Sequence, residues 1–206
     1  GYTYYEENQD KLKALAIDSG DGCVAPTDET IAAARASAGA GMTSQRAVTV
    51  LLEDHLITFT RAVGLLRRRN LPVRSIAVGP TVTPGVSRLT VMIQSDEATA
   101  DRAVQQLQKV VGVRDAAAFP ARDGVTRELA LVKVRASGER YGELLDVVQL
   151  YHASVVDDSP EAIIVELTGS EAFVLSCIRA LERFEVLEVA RSGAVALELG
   201  LTDAGA

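Results

Sequence analysis

The pattern of apolar and polar residues changes its period several times between residues 46 and 119. Short runs of β-branched and apolar residues, which are typical of strands, alternate with longer segments in which apolar residues recur at helical spacing. These runs predict strands at residues 48–52, 73–78, 89–93 and 113–118. The first helix is marked by Phe59, Val63 and Leu66, and the second begins at Asp96 with an apolar stripe of Ala100, Ala103, Val104, Leu107 and Val111. The order strand, helix, strand, strand, helix, strand predicts an antiparallel sheet with both helices on one face and the other face or an edge free for pairing.

A similar order of elements returns after residues 120–124, whose Pro and Gly predict a linker. The predicted strands are residues 128–134, 154–157, 163–167 and 186–190, and the predicted helices are residues 141–151 and 170–184. We therefore expect an α+β chain with two domains, at residues 46–119 and 125–199, and a tail at residues 200–206.

The first 41 residues continue neither pattern. Residues 1–8 and 18–27 resemble a stretch of the periplasmic phosphate-binding proteins of transporters, and the Ala- and Gly-rich residues 32–41 indicate a linker. Such a short piece lacks most of a binding lobe, so we expect it not to bind phosphate. We interpret residues 1–41 as an extension, a fusion or a cloning remnant, with Met42 as a suitable start for the remainder.

Charge and hydropathy narrow the classes of partner. A formal net charge of −7 opposes binding to a phosphate backbone, so we expect no nucleic-acid partner. No run approaches the roughly 20 apolar residues that span a bilayer, and no basic segment leads into an apolar one. We therefore expect no membrane contact and a cytoplasmic location.

Cys23 and Cys177 lie far apart, and Cys177 falls on an apolar helical pattern, which favours a free thiol in a core over a disulfide.

The sequence offers no catalytic constellation. His55 and His152 are the only histidines, and no spacing pairs either of them with a Cys or Ser nucleophile. There is no metal-ligand run comparable to a pair of CxxC motifs and no Gly-rich phosphate-binding motif after a strand. We therefore expect no cofactor, no metal and no enzymatic activity from this chain alone.

Four segments carry a resemblance to a known family: residues 71–81, 87–91, 127–134 and 190–193. Together they closely resemble the regulatory (small) subunit of acetolactate synthase, also called acetohydroxyacid synthase, over about residues 46–199. The resemblance implies an N-terminal ACT domain, βαββαβ, followed by a second ferredoxin-like α/β domain. It also implies a non-catalytic chain that activates a thiamine-diphosphate-dependent catalytic subunit in branched-chain amino acid biosynthesis, and a homodimer formed through the ACT domains.

The same resemblance places an amino-acid effector, usually valine, where the first strand enters the first helix. The equivalent positions here are Asp54, His55, Ile57, Thr58 and Pro72. The family carries Asn where this chain has Asp54, Gly where it has Ile57, and a second Asn where it has Pro72. An ionised aspartate repels a carboxylate, isoleucine fills the space that glycine leaves, and proline removes a donor. We therefore expect weak or absent valine feedback.

Other interpretations of these positions and of the chain remain open at this stage. Asp54 can simply cap the helix and Ile57 can pack in the core. The chain can be a stand-alone ACT-type sensor of another small ligand, with Asp54 and His55 facing a cationic or polar effector. It can also be a structural remnant without regulatory activity.

Overall fold

The computed structural model describes residues 43–135 and 140–200. The predicted extension at residues 1–41, Cys23 within it, and residues 201–206 of the predicted tail lie outside the described residues. The first half contains β1 (Ser44–Glu53), α1 (Leu56–Arg68), β2 (Val73–Pro80), β3 (Val86–Ser95), α2 (Glu97–Leu107) and β4 (Val113–Pro120). The second half contains β5 (Gly124–Arg135), α3 (Arg140–Leu150), β6 (Ser154–Ser159), β7 (Ala162–Gly169), α4 (Glu171–Leu181), β8 (Glu185–Arg191) and β9 (Val195–Glu198).

The first sheet is antiparallel with the strand order β2-β3-β1-β4. Alternate residues of the central strand β1, Val48, Val50 and Leu52, are buried against the two helices. Their β-branched and apolar side chains suit a pleated surface with one face in the core. Asp96 fixes the start of α2, because its carboxylate accepts a hydrogen bond from the Thr99 amide at 2.7 Å.

The second sheet repeats this plan with the order β6-β7-β5-β8. Ser170 caps α4 by accepting a hydrogen bond from the Phe173 amide at 3.3 Å. Cys177 on α4 is fully buried in the core of this half as a free thiol. Burial raises the pKa of the Cys177 thiol to about 12, because the thiolate would lose its solvation there.

The face of the first sheet opposite its helices is not left open. Ala47, Met92 and Phe119 on that face form a buried cluster with Ala194 and Ala196 from the second half of the chain. Strand β9, which contains Ala196, pairs with the first part of β5, from Gly124 to Arg127. A short β5–β9 ribbon therefore covers part of the surface that the sequence predicted to be available for pairing.

Three details of the sequence-based elements need correction. The predicted linker at residues 120–124 is only a single 3-10 turn, Ala121–Asp123, between β4 and β5. Strand β9 was not predicted at all. Val111 does not extend the apolar stripe of α2, because the helix ends at Leu107 and Val111 is 76% exposed.

Candidate effector site and interdomain junction

The turn from β1 into α1 presents an uncapped helix N-terminus. His55 occupies the capping position in extended conformation, and its side chain makes no capping hydrogen bond. The first turn of this 13-residue helix carries no acidic residue. The Thr58 amide donates to the His55 carbonyl at 3.0 Å. The Leu56 and Ile57 amides precede it at the positive end of the helix dipole, where amides have no acceptor one turn back in the helix, so this helix end favours an anionic group.

Asp54 does not cap the helix, which corrects one interpretation of its role. Its carboxylate accepts a hydrogen bond from the Ser87 hydroxyl of β3 at 3.0 Å, and its amide donates to the Gly85 carbonyl at 3.0 Å. Asp54 thus ties the end of β1 to the turn that precedes β3. It also keeps a carboxylate beside the N-terminus of α1, where it opposes the approach of a second carboxylate.

The structure also excludes a core role for Ile57. Ile57 is 58% exposed and its neighbour Leu56 is 81% exposed. Thr58 is the buried member of this turn, at 2% exposure. It packs under Gly112, where a Cβ atom would lie 2.7 Å from the Thr58 Oγ1. Of the predicted effector positions, Asp54, His55 and Ile57 therefore lie at the surface, whereas Thr58 supports the turn from within.

Pro72 lies at the other end of the sheet. Its carbonyl accepts a hydrogen bond from the Gln94 amide at 3.1 Å, and Gln94 is opposite Gln45 near the start of β1. Asp54 instead contacts Ser87, seven residues along β3 from Gln94. At about 3.3 Å per strand residue, roughly 20 Å separates the two ends. One chain therefore does not bring Pro72 into the same pocket as Asp54.

A second polar site, which the sequence does not predict, joins the two halves of the chain. Its cavity of about 300 Å³ is lined by Arg74, Ser75, Ile76, Met92, Glu128, Glu171, Arg191, Ser192, Gly193 and Ala194. Three of the segments that carried the family resemblance, residues 71–81, 127–134 and 190–193, contribute to this lining. Their convergence was the available signal, but only the folded chain shows it.

The described part of the chain contains neither a candidate metal-binding cluster nor a helix suited to crossing a membrane. Within residues 43–135 and 140–200, no three His, Cys, Asp or Glu side chains are grouped so that they could hold a metal ion. Among the helices of these same ranges, none has the length and apolar character needed to cross a membrane.

Comparison with protein families matches both halves of the described chain. Residues 49–115 match the family described as the AHAS small subunit-like ACT domain, and residues 127–200 match the small subunit of acetolactate synthase. The first match covers most of β1 to β4, and the second covers most of β5 together with β6 to β9. Each match therefore coincides with one of the two sheets.

Individual relatives match over nearly their whole length. The acetolactate synthase small subunit of Mycolicibacterium smegmatis is 33% identical over 164 residues, which is 80% of this chain and 96% of the relative. The probable acetolactate synthase small subunit of Archaeoglobus fulgidus is 31% identical over 74% of this chain and 96% of its own length. The crystal structure of the acetolactate synthase small subunit from Thermotoga maritima superposes with a TM-score of 0.71 at 31% identity, over 77% of this chain and 99% of that one.

Proposed function

Since this chain belongs to the family of acetolactate synthase small subunits, we propose that it binds the catalytic subunit of acetolactate synthase and raises its activity. We propose further that its response to valine is weak or absent. The observation that carries the first proposal is the match to both families in order, on two consecutive ACT-type sheets, over nearly the full length of the relatives. The second proposal depends on the geometry of the β1–α1 turn.

The surface chemistry of that turn supports the loss of a valine response. An amino-acid effector needs donors for its carboxylate, and the amides at the start of α1 supply them. Asp54 places a negative charge beside these amides, and its carboxylate already accepts from Ser87. The exposed side chain of Ile57 adds bulk at the same turn. Both features weaken the binding of a carboxylate at this helix end.

The position of Pro72 supports a site shared by two copies of the chain. Asp54 and Pro72 lie at opposite ends of one sheet, so a pocket that uses both positions needs the second from another copy. Strand β2, which Pro72 precedes, is an edge strand, and its Ile76 and Val78 are 36% and 54% exposed. An edge strand with exposed apolar side chains is suited to pairing with a second copy. We therefore propose a homodimer through the first sheets, which light scattering at micromolar concentration tests directly.

The test of the main proposal is acetolactate formation by the cognate catalytic subunit with and without this chain, each across a valine titration. We expect activation by the chain and little inhibition by valine. A chain that leaves the catalytic rate unchanged at saturating concentration would refute the activation. Activation with full valine inhibition would instead refute the account of the β1–α1 turn.

Restoring the family's residues should restore the response. The variant with Asp54→Asn, Ile57→Gly and Pro72→Asn removes the charge and the bulk and supplies two amide side chains. We expect it to keep the activation and to lower the half-inhibitory valine concentration by at least about fivefold. The matched control is Val111→Asn, because Val111 is 76% exposed and lies outside the turn. Equal valine curves for the triple variant, the control and the parent chain would contradict the assigned effector positions.

A further inference from the structure

The apolar part of the junction between the two halves is small. Among the described residues, the buried cluster at this junction takes Ala194 and Ala196 from the second half and Ala47, Met92 and Phe119 from the first sheet. Domains joined by a limited interface move relative to one another unless other contacts fix them. The polar contacts at this junction therefore add to the apolar cluster and to the short β4–β5 connection in holding the second half.

Glu171, the first residue of α4, is the centre of these polar contacts. Its Oε2 accepts a hydrogen bond from the Gln45 Nε2 at 2.8 Å, and its Oε1 accepts one from the Arg74 Nη2 at 3.0 Å. Gln45 belongs to β1 and Arg74 to β2. Both oxygens of one carboxylate from the second half are thus bound by side chains of the first sheet.

Glu171 also neighbours charged side chains within the second half. Arg191 places its Nη2 3.9 Å from the Glu171 Oε1 and donates from Nε and Nη2 to the Oε1 of Glu128 at 3.1 and 2.5 Å. The Glu128 side chain is only 2% exposed, so Arg191 is held by a buried partner. Charges therefore alternate from Glu128 through Arg191 and Glu171 to Arg74, with the last step crossing between the halves.

The environment of Glu171 keeps its carboxylate ionised. Burial alone would raise the pKa of Glu171, but the hydrogen bonds from Arg74 and Gln45, together with the charges of Arg74 and Arg191, hold it below its ordinary value. An ionised acceptor gives stronger hydrogen bonds than a neutral one. Glu171 therefore acts at neutral pH as a charged acceptor for Gln45 and Arg74, with Arg191 as a neighbouring positive charge.

The turn between β8 and β9 contacts the edge strand β2, to which Arg74 also belongs. The Ala194 amide donates to the Ser75 hydroxyl at 3.3 Å. Gly193 has φ of +75°, and a Cβ atom there would lie 3.2 Å from the Ile76 carbonyl oxygen. The cavity of about 300 Å³ lies between β2 and the second half of the chain, so side chains do not fill the whole junction. Strand β2 is thus held by Glu171 at Arg74 and by the β8–β9 turn at the next two residues.

We propose that Glu171 is a positioning residue that fixes the second half of the chain against β2, and that this contact transmits the occupancy of the effector site to the second half when an effector binds, as expected in the variant with the family's residues restored. Pro72, one of the effector positions, immediately precedes β2 and is two residues from Arg74. A displacement at the start of β2 therefore reaches Glu171 along one strand. The transmission rests on the function proposed above, whereas the positioning does not.

Hydrogen exchange of the full chain tests the positioning. We expect Glu171→Gln to speed amide exchange in residues 73–76 and 191–194 by about threefold to tenfold. Arg74→Met should give a similar change, since the Arg74 side chain is 55% exposed and has no core role. The double variant should exchange no faster than either single one, because both break the same contact.

The matched control is Glu185→Gln. Glu185 pairs with Arg135 at 2.6 Å, and both residues belong to the second sheet. The Arg135 side chain is 53% exposed, close to the 55% of Arg74, whereas Glu185 is 58% exposed and Glu171 26%. The control should leave exchange in residues 73–76 unchanged. Wild-type exchange there in both Glu171→Gln and Arg74→Met, or the same acceleration in the control, would overturn the proposal.

Valine titration of the complex with the catalytic subunit tests the transmission, in the background of the triple variant with Asp54→Asn, Ile57→Gly and Pro72→Asn. Adding Glu171→Gln should leave the activation unchanged and raise the half-inhibitory valine concentration by about fivefold or more. An unchanged valine curve would overturn the transmission. If the background itself does not respond to valine, the proposed effector positions fail, and the exchange measurement alone decides the role of Glu171.

Discussion

At the scale of single residues, burial decides the chemistry of Cys177. The side chain lies in the second core without exposed area, and burial raises the pKa of its thiol to about 12. Because only the thiolate is nucleophilic, we expect Cys177 to resist a thiol reagent at pH 8 in the folded chain and to react once the chain unfolds. A Cys23→Ser variant isolates its signal. Rapid labelling of the folded variant would contradict the burial of this thiol.

Because Cys177 is buried in this core, its contribution to the stability of the folded chain decreases at alkaline pH. Its pKa in the folded chain is raised above the ordinary value of 9.0. The stabilisation is therefore fully present below that value and is lost as the pH rises from it toward about 12.

The helical spacing around Cys177 was sufficient to predict a core residue. The pairing of Glu128 with Arg191, 63 residues later, was not predictable, because it depends on the register of β5 against β8.

At the scale of elements, the three helix starts with a defined capping residue differ in how they are fixed. Asp96 and Ser170 each accept a hydrogen bond from an amide of the first turn, whereas His55 makes no such bond. We expect Ser170→Ala to lower the free energy of unfolding by about 1 kcal/mol, Asp96→Ala to lower it as well, and His55→Ala to change it by less than about 0.5 kcal/mol. Urea unfolding of the three variants measures this. An equal loss for His55→Ala would show that His55 caps α1 after all.

The elements also show where a pattern of residues is sufficient to predict structure. The comparisons confirm the α+β fold with two ACT-type units. The fold was predictable because each helix and each of the first eight strands carries its own periodicity. Strand β9 has four residues and forms only by pairing with β5, so its sequence alone carries too little periodicity. The interpretation of Asp54 as a helix cap was wrong for a similar reason. Its partner Ser87 lies 33 residues away and is brought near by the pairing of β1 with β3.

At the scale of the whole molecule, two similar sheets are joined by unlike contacts. The junction contains a small buried apolar cluster and a set of charged side chains around Glu171. The apolar contacts do not change with pH, whereas the hydrogen bonds and ion pairs of Glu171 are strongest when its carboxylate is ionised. The strength of the junction should therefore depend on ionic strength and on acidic pH, whereas the second core depends on pH only in the alkaline range where Cys177 ionises.

The pH dependence of this junction follows from the lowered pKa of Glu171. The ordinary value is 4.5, and in the folded chain the hydrogen bonds from Arg74 and Gln45 outweigh burial and hold the pKa below it. A depressed pKa contributes stability that is present above the ordinary value and is lost as the pH falls through the folded value. The difference in unfolding free energy between the wild type and Glu171→Gln should thus be constant near neutral pH and shrink below 4.5. Denaturant unfolding at a series of pH values measures this difference. A difference that stays the same or grows in acid would show that Glu171 acts there through its shape and not through its charge.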